Sequence, residues 1–156
     1  MPWAAKSAAS KPNPDLVLIL DTDHLTELGY ATRPGKRLVD RLGRSSAAVA
    51  ITIVSAEEQL RGWLARIAKA KTIEEQVLAY EALGERMTFF ASFTLLPWDR
   101  GAAARFERFR KQGVRVGTMD LRIACIVIEH DAVLLTRNTM DFEKVPGLKF
   151  KNWLTS

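Results

Sequence analysis

Five short apolar runs divide the chain, and the segments between them have apolar residues at every third or fourth position. The runs at 16–20 and 48–54 are continuous in Val, Ile, Leu and Ala, with one threonine, which is typical of strands buried on both faces of a sheet. Shorter runs at 92–96, 132–136 and 148–151 predict three further strands.

The intervening segments have helical periodicity and begin at capping residues. Ser55 is predicted to begin one helix and to form a capping box with Glu58, and Thr72 and Glu75 form a second such box. Strands that alternate with helices predict an α/β protein, a three-layer α/β/α sandwich around a central parallel sheet. We expect helices at 22–28, 36–42, 55–69, 72–90, 99–112 and 118–130, and a short turn at 140–143.

The length of 156 residues suits one domain. The first 15 residues are rich in Ala, Ser, Lys and Pro, which predicts a flexible N-terminal arm before a folded domain at 16–156. The arm lacks the apolar core of a secretory signal, and no run approaches the roughly 18 apolar residues of a membrane span. We therefore expect a cytoplasmic protein with no membrane partner.

The charge and the cysteine content limit the partners and the kinds of site that the protein can have. The formal net charge is +5 and the pI is about 9.6, which favours a polyanionic partner such as nucleic acid. The single cysteine, Cys125, lies in an apolar segment, where we expect a buried thiol that packs as a small hydrophobic group. One cysteine excludes an internal disulfide and a cysteine-based zinc cluster.

Acidic residues from four separate segments fall where a parallel sheet binds its ligands, beyond the carboxyl ends of its strands. Such a cluster of carboxylates suits Mg²⁺ or Mn²⁺, which prefer oxygen ligands and relieve the repulsion between the acids. A metal ion so held can activate water and neutralise charge on a phosphodiester. The four residues are Asp21, Glu58, Asp120 and Asp141, and Asp23 and Asn138 lie beside them.

Each of these acids also has a purely structural interpretation. Asp21 could cap the helix that follows the first strand, and Glu58 could serve only in the capping box with Ser55. Asp120 lies in a first helical turn, where the helix dipole favours a carboxylate, and Asp141 could cap a short turn.

Four motifs that contain these acids resemble those of the PIN-domain family, in particular VapC-type toxins. Leu-Asp-Thr-Asp at 20–23 resembles the opening motif, with aspartate in place of the commoner asparagine at Asp23. The segments 51–62, 117–124 and 135–148 are similar to the later motifs and contain the other three acids. The 15-residue arm is longer than is usual in such toxins.

The resemblance implies an Mg²⁺- or Mn²⁺-dependent endoribonuclease, the toxin component of a type II toxin–antitoxin system. It implies that the four acids bind the metal and act in catalysis. It also implies that Asp23 and Asn138 contact the metal ligands and adjust the metal site without binding the metal themselves. It also implies an RNA substrate, a small VapB-like antitoxin and a homodimer. Arg122 and Arg137, close to the acids in sequence, are predicted to bind substrate phosphates.

Two other functions stay open at this point. Asp21-Thr-Asp23 also resembles the nucleophile motif of haloacid-dehalogenase-like phosphatases, although Leu25 stands where those commonly have Thr or Val. The second open function is that of a non-catalytic PIN-like module that binds RNA or protein. His24 is isolated in the sequence and predicts no role, and Trp63 is expected in the core or at a dimer surface.

Overall fold

The computed structural model describes residues 16–155 and consists of a parallel sheet with helices on both faces. The arm predicted at 1–15 lies outside the described residues. The strands are β1 (Val17–Leu20), β2 (Ala48–Thr52), β3 (Thr94–Leu96), β4 (Val133–Leu135) and β5 (Lys149–Lys151). The helices are α1 (Thr22–Leu28), α2 (Arg33–Arg44), α3 (Ile53–Lys69), α4 (Ile73–Ala91), α5 (Arg100–Lys111), α6 (Thr118–Glu129) and α7 (Thr139–Phe142).

The strand order is β3-β2-β1-β4-β5, and every neighbouring pair is parallel. The chain builds outward from β1 through β2 to β3, and then returns to place β4 on the other side of β1. The order therefore reverses between β1 and β4, which is the position where open α/β sheets bind ligands. The predicted α/β fold with a central parallel sheet is confirmed.

Alternate residues of the central strand enter two separate cores. Ile19 packs with α5 and α6 on one face, in a cluster that includes Phe109 and Ile126. Leu18 and Leu20 pack on the other face with residues of α1 and α2. Full burial on both faces explains why the strand reads as a continuous apolar run.

Helix α3 begins earlier than the sequence suggested, so the predicted capping box at Ser55 and Glu58 is wrong. Thr52 is the N-cap, and its hydroxyl oxygen accepts a hydrogen bond from the Ser55 amide at 3.0 Å. Ser55 is fully buried inside the first turn. Since Glu58 lies almost two turns inside the helix, its carboxylate is free of any capping role.

Gly35, in the first turn of α2, lies against the backbone of the end of α1 and of the loop that follows it. A methyl group there would come within 2.6 Å of the Tyr30 carbonyl oxygen and would also collide with that of Glu27. We expect Gly35→Ala to destabilise the fold by about 2 kcal/mol, as forced overpacking typically does. Gly43→Ala in the same helix, where the added methyl meets nothing within 4 Å, should be neutral or stabilising. Urea titrations of both variants measure the difference. Equal stability of the two variants would contradict this packing.

Two predictions about composition can be checked directly. Cys125 is fully buried, and burial raises the pKa of its thiol to about 11, so it is a packed apolar group and an unreactive one. None of the described helices is long and apolar enough to cross a membrane.

Candidate active site

Asp21 stands at the point where the strand order reverses. Its backbone amide donates to the Leu135 carbonyl at 2.9 Å, which continues the β1–β4 ladder by one residue. Its carboxylate caps α1 by accepting from the Thr22 amide at 2.8 Å, and it also accepts from the Thr136 hydroxyl at 2.8 Å. The capping interpretation is therefore correct, and the carboxylate also bridges the ends of the two central strands.

The environment of Asp21 disfavours its charge. The side chain is only 6% exposed, and burial, assisted by the nearby charge of Asp23, raises its pKa to about 7. The hydrogen bonds from Thr136 and Thr22 work in the opposite direction without cancelling this effect. A buried carboxylate with so high a pKa binds a cation readily, because a cation removes the penalty for ionising it.

Asp23 is held from two sides. One carboxylate oxygen lies 2.6 Å from Nδ1 of His24, and the other accepts from the Arg137 amide at 2.9 Å. Nε2 of His24 accepts from the Trp153 amide at 3.2 Å, so Nδ1 carries the proton that bonds Asp23.

Sequence reasoning assigned no role to His24, although it is fully buried and ties the C-terminal segment to the edge of the site. The only available signal was its position directly after the second aspartate of the opening motif.

Glu58 reaches the site from α3. Its carboxylate accepts a hydrogen bond from the Thr22 hydroxyl at 2.6 Å, which places it beside the first turn of α1. Gln59, the next residue, donates to the Thr26 hydroxyl at 3.1 Å and so fixes α3 against α1. The helix therefore presents Glu58 to the same edge as Asp21.

Asn138 bridges the remaining two acids. Its side-chain amide lies 3.0 Å from Asp141 and 3.4 Å from Asp120, and its backbone amide donates to Thr136 at 3.1 Å. Asp141 also accepts from Lys144 at 3.0 Å, and the bonds from Asn138 and Lys144 lower its pKa. The short loop after β4 thus connects the outer acids to the residue that bonds Asp21.

Asp120 is the electrostatic centre of the cluster. Burial and then the charges of Glu58, Asp141 and Asp23 raise its pKa, and the weaker bond from Asn138 lowers it only in part. Asp120 also contributes to the raised pKa of Asp21. Glu58 and Asp141 therefore lie close enough to Asp120 to oppose its ionisation, and Asp120 lies close enough to Asp21 to do the same there.

The acids do not form a closed metal cage. Within residues 16–155, no group of three or more Asp, Glu, His or Cys side chains is close enough to hold a metal ion. The donor chemistry nevertheless fits a hard divalent cation, because all four acids offer carboxylate oxygens. Of the four acids only Asp141 is paired with a described basic side chain, so three carboxylates have no counter-charge in that part of the chain.

The two arginines predicted to bind substrate differ in their surroundings. Arg137 is ion-paired with Glu27 at 3.2 Å, and bonds from Thr32 and from Arg137 lower the pKa of that glutamate. Arg122 lies on α6 and lines an apolar pocket with Trp98, which faces a different side of α3 from Glu58.

The sequence and the fold are both similar to those of VapC proteins. No family model matches the chain. It is 30% identical over 84 residues to Ribonuclease VapC1 of Haemophilus influenzae strain R2866, a match of 54% of this chain and 61% of that protein. The chain thus spans about 61% of the length of the first curated relatives that it matches.

Solved structures extend the likeness over almost the whole described fold. A chain of VapBC-1 from nontypeable Haemophilus influenzae superposes with a TM-score of 0.64 at 22% identity, covering 89% of this chain and 99% of that one. The chain has a PIN-like fold. FitAcB from Neisseria gonorrhoeae gives a TM-score of 0.65 at 22% identity, with 89% and 99% covered. The resemblance to VapC-type PIN proteins that the four motifs predicted is confirmed.

Proposed function

We propose that this PIN-like protein is a metal-dependent endoribonuclease and the toxin of a type II toxin–antitoxin pair. The observation that carries the proposal is the convergence on Asp120 of three other carboxylates at the carboxyl edge of the sheet. Such crowding costs stability and serves no purpose in a protein that only binds a polyanion. The curated relatives named Ribonuclease VapC1 support RNA as the substrate class.

In this proposal Asp21, Glu58, Asp120 and Asp141 hold one or two Mg²⁺ or Mn²⁺ ions. Bound metal would supply an activated water and offset charge on the phosphodiester. Thr22 fixes one oxygen of Glu58, and Asn138 fixes one oxygen each of Asp120 and Asp141, while Lys144 holds the second oxygen of Asp141. Asp23, anchored by His24, holds the loop at Arg137 in place.

We also propose an antitoxin partner and a homodimer. The neighbouring structures named VapBC are toxin–antitoxin complexes of those proteins, and this chain shares their fold. Several apolar side chains of α3 and α4 are exposed, and a protein surface could cover them. They are Leu64, Ile73, Leu78, Tyr80 and Met87.

Cleavage of purified total RNA with and without divalent metal tests the nuclease. We expect discrete products with Mn²⁺ or Mg²⁺, none after EDTA treatment, and none from Asp21→Ala at any metal concentration. Adding the metal back to the EDTA-treated protein should restore the same products, because removal of the metal does not damage the protein chain.

Two results would contradict the proposal. Products that persist in EDTA would remove the metal from the reaction. Absence of cleavage by folded, metal-binding protein would favour the other two functions, and hydrolysis of p-nitrophenyl phosphate would then separate a phosphatase from a module that only binds.

A further inference from the structure

Two groups among the described arginines differ in their partners: one group is ion-paired with glutamates, and the other lies over aromatic rings. Arg61, Arg105 and Arg137 form ion pairs with glutamates at 2.5, 2.7 and 3.2 Å. Arg66 and Arg86 form no ion pair or hydrogen bond with the described residues and instead lie over aromatic rings. The first group is electrically satisfied, and the second is not.

Trp63 on α3 is the centre of the stacked group. The guanidinium carbon of Arg66 lies 5.0 Å from the Trp63 ring centroid, and that of Arg86 lies 6.0 Å from it. Arg86 also lies 5.0 Å from the ring centroid of Phe89, on its own helix α4. Trp63 and Phe89 are half-buried, so of the two locations predicted for Trp63, the core and a dimer surface, the core is excluded.

Stacking on a ring leaves a guanidinium group able to bind a phosphate. The ring attracts the cation through its face, and the five N–H donors in the guanidinium plane stay available. A glutamate partner would occupy those donors and cancel the charge. Because the ring also restricts the side chain, less conformational entropy is lost when an anion binds.

The stacked arginines lie along a groove that begins at the acids. A pocket of about 300 Å³ is lined by Glu58 and Thr22 at one end and by Trp63 and Arg66 at the other. Arg66 is eight residues beyond Glu58 on α3, which is about 12 Å along the helix axis. A second pocket of about 320 Å³ shares Trp63 and is lined by Arg86, Phe89, Tyr30, Gly29, Ala82 and Glu85.

We propose that Arg66 and Arg86, held on Trp63 and Phe89, bind backbone phosphates of single-stranded RNA on one side of the bond that is cut. The inference rests on the proposed nuclease function and adds a substrate-binding site to it. The repelling charge of the acids makes such a site necessary, since phosphates must approach Glu58 and its neighbours against like charge. Arg66 lines the same pocket as Glu58 and is the nearest unpaired cation in it.

The test measures binding of a labelled, unstructured RNA oligonucleotide of mixed sequence to protein that carries Asp120→Asn, so that nothing is cut. We expect Arg66→Ala and Arg86→Ala each to weaken binding about tenfold, the usual cost of a charge-assisted hydrogen bond. Each should also reduce the slope of log Kd against log salt by about 0.7, the value for one lost phosphate contact on a single strand. Arg66→Lys should keep the slope.

Arg61→Ala is the matched control. Arg61 lies five residues before Arg66 on the same helix, is more than two-thirds exposed, and is already paired with Glu57 in a different pocket. We expect this variant to bind RNA normally. Trp63→Leu, which keeps every charge, should weaken binding because both guanidinium groups lose their platform.

The outcomes separate this proposal from the nuclease function. Weaker binding by the Arg66 and Arg86 variants supports the site even if the wild-type protein cuts no RNA. Normal binding and an unchanged salt slope in both variants, in protein that does cut RNA, would overturn it. Reduced binding to polyglutamate with RNA binding unchanged would also overturn it, because the groove would then recognise an acidic polypeptide.

Discussion

Asp120→Asn is expected to reduce RNA cleavage at least 100-fold while leaving the protein folded. Loss of a group that only supports a metal ligand costs about 10- to 100-fold in affinity or activity, so loss of a proposed ligand is expected to cost at least as much. The charges of Glu58, Asp141 and Asp23 raise the pKa of Asp120, so the acids of the cluster interact electrostatically through this residue. The amide keeps its shape and its contact with Asn138 but removes the charge.

The matched control for this variant is Asp131→Asn. Asp131 is 87% exposed, pairs only with Lys149 and precedes β4 at the opposite end of the strand from the acids. It has a positive φ of 47°, which asparagine adopts easily. Single-turnover rates and circular dichroism of both variants test the prediction. Full activity in Asp120→Asn would remove Asp120 from the mechanism.

Asp21→Asn is expected to abolish cleavage and, without metal, to make the protein more stable at pH 8. The pKa of about 7 in the folded protein exceeds the ordinary value of 3.8, so the charged form is disfavoured by folding. The full pKa shift corresponds to about 4 kcal/mol in the free energy of unfolding. We expect the variant to gain about 2 kcal/mol, because neighbouring acids can share the proton in the wild-type protein. The amide can keep both hydrogen bonds, since the Thr136 hydroxyl can also accept one.

The pH dependence of this difference follows from the direction of the shift. A raised pKa means that the folded protein holds the proton more tightly than the unfolded chain does. The stabilisation is complete below pH 3.8 and is lost as the pH rises through about 7. Urea titrations in EDTA should therefore show the two proteins equally stable near pH 4 and the variant more stable at pH 8.

Added Mn²⁺ should reverse the order of stability by binding the wild-type protein more tightly. A variant that is less stable than the wild type in EDTA at pH 8 would contradict the raised pKa of Asp21.

The sheet and the positions of the acids could be predicted from the sequence because both depend on local patterns. Continuous apolar runs such as 16–20 predict buried parallel strands, and acids directly after them must lie at the carboxyl edge. The start of α3 could not be predicted, because Thr52 and Ser55 are equally good caps by residue type. Only the burial of Ser55 decides between them.

Contacts between distant segments were beyond sequence reasoning. His24 accepts a hydrogen bond from the backbone amide of Trp153, which lies 129 residues later in the chain. No local sequence pattern encodes that pairing. The stacking of Arg86 on Trp63 likewise depends on how α4 packs against α3. Residue type alone could not distinguish the stacked arginines from those paired with glutamate.

The bond between Asp21 and Thr136 joins residues 115 positions apart, and this separation has a consequence for synthesis. A ribosome makes Asp21 well before its partners on β4 and before the loop that holds Asn138 and Asp141. One edge of the central strand β1 stays unpaired until β4 has been synthesised, because β4 is its neighbour on that side. A chain that stops before β4 therefore lacks the partners of Asp21, and in the proposed nuclease such a fragment should cut no RNA.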